Sequence, residues 1–184
     1  MTVDPAINPR IGSLFSGAGG LDLAVERVFK GTTIWQSEVN KAASTVLEKR
    51  FGVPNLGDIT KIDWHDVPPV DILCGGFPCQ DVSHAGLKAG IESGTRSGLW
   101  SHFAEAIDVL RPSYVIIENV RGLLSAKAQG GQGVPMRAMA RVLGDLSDIG
   151  YDARWKTLAA SSVGAPHKRE RVFILAQPAH AISA

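Results

Sequence analysis

The stretch Val70-Asp71-Ile72-Leu73-Cys74-Gly75-Gly76-Phe77-Pro78-Cys79-Gln80 passes from an apolar run into two glycines and a Pro-Cys pair. The apolar run has the length and composition of a buried strand. Two glycines followed by proline end it abruptly, and the thiol of Cys79 then stands just past the carboxyl end of the strand. In open α/β folds that edge is where ligands are held. Pro78 and the glycines take Cys79 out of the strand, where a thiolate could act as a nucleophile. Cys74 lies inside the strand and reads as a structural, buried cysteine.

Working outward, short apolar runs alternate with helix-patterned segments, the pattern of βαβ units around a parallel sheet. Strands are expected at Ile11–Phe15, Thr32–Gln36, Asn55–Leu56, Val70–Cys74, Ser113–Glu118, Arg154–Leu158 and Val172–Ala176. Helices are expected over Gly20–Phe29, from an Asn40 cap to about Arg50, over Leu99–Leu110 and over Pro135–Ile149, the last with Gly150 just past its end. Val115-Ile116-Ile117 is apolar on both faces, which predicts a central strand. The segments Asp81–Gly98 and Ser125–Gly133 are rich in Gly, Ser and Gln and read as loops, and the tail from Gln177 reads as frayed. The expected fold is a doubly wound, mostly parallel α/β sheet in one domain spanning residues 1–184.

Bulk properties narrow the function. The 184 residues are 45% apolar and 20% charged, with a formal net charge of +1. That balance is ordinary for a soluble globular domain and lacks the basic excess of a protein that grips DNA unaided. Two cysteines and five scattered histidines give neither a disulfide framework nor a metal site. No stretch has the length of a membrane span and no secretory leader opens the chain, so a cytoplasmic location is expected, with a reducing milieu suited to a working thiol.

Three further motifs carry chemistry. Phe15-Ser16-Gly17-Ala18-Gly19-Gly20 joins the first strand to the first helix, where glycines admit a ligand close to the backbone above a helix N-terminus. Asp22 stands where a dinucleotide fingerprint has its third glycine. Glu38 closes the second strand, the usual place for an acid that binds ribose hydroxyls, and Asp58 could take an adenine amino group. Glu118-Asn119 ends the central strand beside Cys79. Arg169 and Arg171, two apart on an entering strand, share one side of it and suit a phosphate or a base oxygen. Taken singly, each has a plain structural reading: a tight turn, a helix cap, a charged strand edge.

Together these motifs resemble one family, the cytosine-C5 DNA methyltransferases. Phe15–Gly20 resembles the family's S-adenosyl-L-methionine (AdoMet) motif, Gly75–Gln80 its nucleophile motif, Glu118-Asn119-Val120 its acid motif, and His167-Lys168-Arg169-Glu170-Arg171 its arginine motif, in the family's order. Arg96-Ser97-Gly98-Leu99-Trp100 resembles the segment closing its catalytic loop. The resemblance implies a Rossmann-like AdoMet-dependent fold and methyl transfer to C5 of cytosine in double-stranded DNA. It implies catalytic roles for Cys79, Glu118, Asn119, Arg169 and Arg171. It implies cofactor contacts from Phe15, Ser16, Gly17, Gly19, Gly20, Glu38, Asp58, Ile59, Pro78 and Leu99. The family's target-recognition region and last motif are not seen in these residues, so the expectation is either the catalytic half of a split enzyme, with its recognition region on a second chain, or a truncated gene product. The alternatives are an inactive remnant or assembly subunit with the same fold, and a nicotinamide-dependent oxidoreductase, against which the incomplete fingerprint speaks.

Overall fold

The computed structural model describes residues 8–78, 98–129 and 135–179. Among these described residues, eight strands and four α-helices occur in chain order: β1 (Arg10–Leu14), α1 (Gly20–Phe29), β2 (Thr32–Ser37), α2 (Lys41–Phe51), β3 (Ile72–Gly75), α3 (Leu99–Leu110), β4 (Tyr114–Val120), β5 (Lys127–Gln129), β6 (Pro135–Arg137), α4 (Ala138–Asp148), β7 (Tyr151–Ala159) and β8 (Glu170–Pro178). Six strands form one sheet in the order β2-β1-β3-β4-β8-β7. The pairs β2–β1, β1–β3 and β3–β4 are parallel, whereas β8 runs antiparallel to both β4 and β7.

Helices cover both faces, as the alternating pattern requires. On one face Phe103, Ile107, Val142 and Leu146 from α3 and α4 pack on Leu14, Leu73, Val115, Ile117, Val172 and Ile174. On the other, Val25 and Leu21 of α1 pack on Ile11, Ile72, Cys74 and Ile116. Burying such side chains stabilises the fold by about 1.5–3 kcal/mol each. The chain leaves β1 toward β2 on one side and returns to β3 on the other, so the order reverses between β1 and β3. A crevice opens at the carboxyl ends of those strands.

The start of α3 is pinned from α4. The Trp100 indole donates to Asp145 Oδ2 at 2.8 Å, and Arg141 Nε donates to the same oxygen at 2.7 Å. Asn40 caps α2 by accepting from the Ala43 amide, and the Gly150 amide closes the end of α4 on the Ser147 carbonyl.

The structure departs from the sequence reading in several elements. The strand expected at Asn55–Leu56 is a single bridge between Gln36 and Asn55, because the chain touches β2 once on its way past. Helix α4 begins at Ala138, and Pro135–Arg137 instead forms a short antiparallel pair with Lys127–Gln129, inside the segment expected to be a loop. Strands β7 and β8 each run to nine residues. β8 therefore carries Gln177 and Pro178, which were expected in a frayed tail. Of the loop expected over Asp81–Gly98, residues 81–97 lie outside the described residues, as do Cys79 and Gln80. Among the described residues no helix is long and apolar enough to cross a membrane.

Candidate active site

The crevice is a cavity of about 460 Å³, lined by Ser13 to Ser16, Gly20, Leu21, Asp22 and Ala24 from β1 and α1, by Gly75 and Gly76 after β3, by Glu118 of β4, and by Arg169 and Phe173. It therefore gathers residues of all four motifs read from the sequence.

One wall is the β1–α1 turn. Phe15 and Gly17 have φ of 52° and 55°, and Gly19 has 78°. A side chain on Gly17 would meet nothing within 4 Å, so the turn leaves open space above the helix N-terminus. A Cβ on Gly19 would lie 2.4 Å from the Phe51 ring, so here glycine is required for packing as well as conformation. The Phe15 ring stacks on Phe103, with centroids 6.4 Å apart. The turn is tied to the end of β2: the Ser16 amide donates to the Ser37 carbonyl at 3.3 Å, and the Gly17 amide donates to Glu38 Oε2 at 2.8 Å. Glu38 Oε1 accepts from the Asn40 amide. This half-buried carboxylate is fixed by two amides beside the turn and is not among the residues lining the cavity. Asp58 caps a 3₁₀ turn, Ile59–Lys61, through Thr60, whose hydroxyl and amide hold the carboxyl below the usual carboxylate range. Ile59 is buried in the main core.

The opposite wall carries the acid and the arginines. Glu118 Oε1 accepts from Arg171 Nε at 2.8 Å, while its Oε2 faces Gly76. The β4–β8 register places Phe173 opposite Glu118 and Arg171 opposite Val120, so the ion pair runs diagonally across the ladder. Arg169, just before β8, is exposed, adopts φ of 28° and lines the cavity. Arg171 also donates to the Glu170 carbonyl, and the Glu170 carboxylate pairs with Arg121. Asn119 is buried, and its side-chain amide donates to the Phe77 carbonyl at 2.8 Å. It thus holds the chain that runs through exposed Pro78 into Cys79. Leu99, the first residue of α3, packs against the main core.

Cys74 is fully buried, and burial pushes its thiol well above the ordinary range, so it stays protonated and unreactive. Cys79, the chain's other cysteine, lies outside the described residues. Among the described residues no group of three or more His, Cys, Asp or Glu side chains could hold a metal ion. Sequence reasoning missed Ser13, Asp22 and Phe173 as cavity residues. For Phe173 a signal existed: it lies two residues beyond Arg171 on the same strand face.

Comparison with known proteins agrees with this arrangement. Residues 10–181 match the family described as C-5 cytosine-specific DNA methylase. Among curated relatives, the type II methyltransferase M1.ScrFI of Lactococcus lactis subsp. cremoris is 36% identical over 162 residues, 88% of this chain and 40% of the relative. M.NgoBI of Neisseria gonorrhoeae is 38% identical over 88% of this chain and 48% of its own length. The chain thus spans less than half the length of these relatives. A DNMT2 variant from Spodoptera frugiperda has the same fold, with a TM-score of 0.71 at 20% identity over 94% of this chain and 51% of its own. A putative DNA modification methyltransferase from an Escherichia coli prophage superposes with a TM-score of 0.68 at 23% identity, over 94% of this chain and 47% of its own. With the motifs assembled at one crevice and nearly the whole chain matched, the protein belongs to the C-5 cytosine-specific DNA methylase family.

Proposed function

We propose that this chain transfers a methyl group from AdoMet to C5 of cytosine in DNA, through a covalent adduct on Cys79. The observation that carries the reading is the single cavity joining the glycine turn to Gly76, Glu118 and Arg169. The open space over Gly17, the half-buried Glu38 carboxylate beside it and the Phe15 ring fit an adenosyl ligand with ribose hydroxyls. Ser16, Gly19 and Gly20 would shape its backbone cradle, Asp58 and Ile59 its adenine end, and Pro78 and Leu99 its far side. When bound, AdoMet supplies an electrophilic methyl group on a sulfonium.

The chain's own residues do the rest. Cytosine C5 is a weak nucleophile. The Cys79 thiolate adds to C6, and Glu118 hydrogen-bonds or protonates N3, so electron density builds at C5. After methylation, loss of the C5 proton expels the thiolate. Arg171 orients Glu118, Arg169 reaches the base oxygen, and Asn119 fixes the backbone before Cys79. The base must leave the duplex, at a cost of a few kcal/mol. The reading also has sequence recognition supplied by polypeptide outside these residues, because the matched stretch makes up only 40% and 48% of the two relatives.

DNA bearing 5-fluorocytosine, incubated with the chain, AdoMet and a recognition partner, should trap an adduct, since fluorine cannot leave as the proton does. Cys79→Ala should abolish the adduct and Cys74→Ala should spare it. An adduct that survives Cys79→Ala would refute the assignment.

A further inference from the structure

Four residues other than glycine carry a left-handed backbone among the described residues: Phe15, Lys30, Arg111 and Arg169. Lys30 and Arg111 close α1 and α3, and that conformation commonly ends a helix. Phe15 and Arg169 close no helix, and both line the cavity. A bulky aromatic residue at φ of 52° is strained, and such strain persists only where the surroundings over-determine it. For Phe15 the restraint is a stack on Phe103, with ring centroids 6.4 Å apart and planes 20° from parallel. Phe103 is itself fully buried and cannot move toward β3, where even a Cβ on Gly75 would lie 2.8 Å from its Cε2. Trp100 and Phe77 pack on the same ring, with centroids at 5.7 and 6.4 Å.

Trp100 is where this stack is anchored. It stands in the first turn of α3, whose start at Gly98 carries no side-chain cap. Its indole instead donates to Asp145 Oδ2 of α4 at 2.8 Å, and Arg141 Nε donates to the same oxygen at 2.7 Å. All three side chains are buried, and the ion pair with Arg141 holds Asp145 in place to receive the indole. Phe103 follows Trp100 by three residues and so shares its face of α3. A buried polar pair on α4 is thereby joined, through two rings of α3, to the strained residue that leads into the glycine turn. We propose that Asp145 and Trp100 are positioning residues for that turn. Their hydrogen bond fixes the first turn of α3, Phe103 passes the placement on, and this brace holds the Phe15 ring at the cavity wall in its strained conformation.

This rests on the AdoMet reading of the cavity, and the test separates the two. Trp100→Phe removes the indole N–H, keeps a ring and leaves Asp145 its ion pair. Phe15→Leu removes the stacked ring. Calorimetry measures AdoMet affinity in the native chain, in both single variants and in the double variant. Trp100→Phe should weaken binding about five-fold and Phe15→Leu about ten-fold, whereas the double variant should match Phe15→Leu within about two-fold, since the brace acts through that ring alone. Tyr151→Phe is the control. It too removes one buried hydrogen bond, to the Pro112 carbonyl just past the other end of α3, and should leave affinity within about two-fold of native. Without ligand, the Phe15 ring signals of ¹³C-phenylalanine-labelled protein should move in Trp100→Phe and stay in place in Tyr151→Phe. Native affinity in Trp100→Phe, losses that multiply in the double variant, an equal loss in Tyr151→Phe, or unmoved Phe15 signals would each overturn the proposal. If Trp100→Phe does not fold, Phe103→Leu breaks the same relay and takes its place in the cycle. If the native chain binds no AdoMet while the Phe15 signals move as expected, the reading of the cavity falls and the brace stands.

Discussion

Asn119 shows how one side chain links the fold to the chemistry. It is 3% exposed, and its amide holds the Phe77 carbonyl while its oxygen accepts from the Val120 amide. Asn119→Ala leaves the buried Phe77 carbonyl unpaired and removes the partner of the part-buried Val120 amide. It should destabilise the protein by about 1–3 kcal/mol in urea unfolding. It should also lower adduct formation more than AdoMet affinity, because Phe77 leads to Cys79 and not to the turn. Equal losses in both assays would argue for a diffuse structural role. Apart from the role the family resemblance implies, the sequence shows Asn119 as a strand-end amide beside Glu118. Its partner, forty-two residues away, could be found only once β3 and β4 were paired. Asp22 was opaque for a related reason. An acid in the first turn of a helix ordinarily faces water and favours the helix dipole. Only the packing of α1 over β1 and β3 reveals that this one is buried.

At the scale of elements, the β1–α1 turn separates fit from function within three residues. Gly17 and Gly19 are both left-handed, but only Gly19 packs against Phe51. Gly19→Ala should therefore destabilise the protein, by about 1–2 kcal/mol from the backbone alone and more from the clash. Gly17→Ala bears the same backbone strain with no clash, and its methyl group enters the space proposed for AdoMet. Its loss of affinity should exceed its loss of stability, and Gly19→Ala should show the reverse; calorimetry and thermal melting compare the two. The bounds of α1 and α3 were legible because each starts after glycine and carries an uninterrupted apolar stripe. The β5–β6 pair was not, since three-residue strands beside glycines leave no period to read. Strand β7 was read from Arg154 onward because Asp152, just after Gly150, is polar and exposed on an edge strand and gives no apolar alternation.

For the whole molecule, charge and coverage point the same way. A net charge of +1 gives weak attraction to phosphates, and salt-dependent attraction supplies most non-specific DNA affinity. The matched stretch makes up only 40% and 48% of the two relatives. The isolated 184 residues should accordingly bind AdoMet yet transfer little methyl to mixed-sequence DNA, measured as incorporated tritium. Adding a chain that bears a recognition region should raise the transfer. Robust sequence-specific turnover by the 184 residues alone would show that recognition lies within them. The doubly wound topology and the grouping of four motifs at one edge were readable from order and spacing. The antiparallel insertion of β8 between β4 and β7, which sets Arg171 against Glu118, was not, since strand order is a property of the assembled sheet.

The outer edge of that sheet also gives the protein an optical label of its own. Trp35, Trp64 and Trp100 are sealed in the core, whereas Trp155 on β7 is 48% exposed. Water-soluble quenchers reach only the last of these indoles, so its red-shifted share of the emission can be isolated without any added dye. Trp155 lies next to β8, the strand that bears Arg171 and Phe173, and its fluorescence reports from the native sequence on whatever comes to rest along that edge.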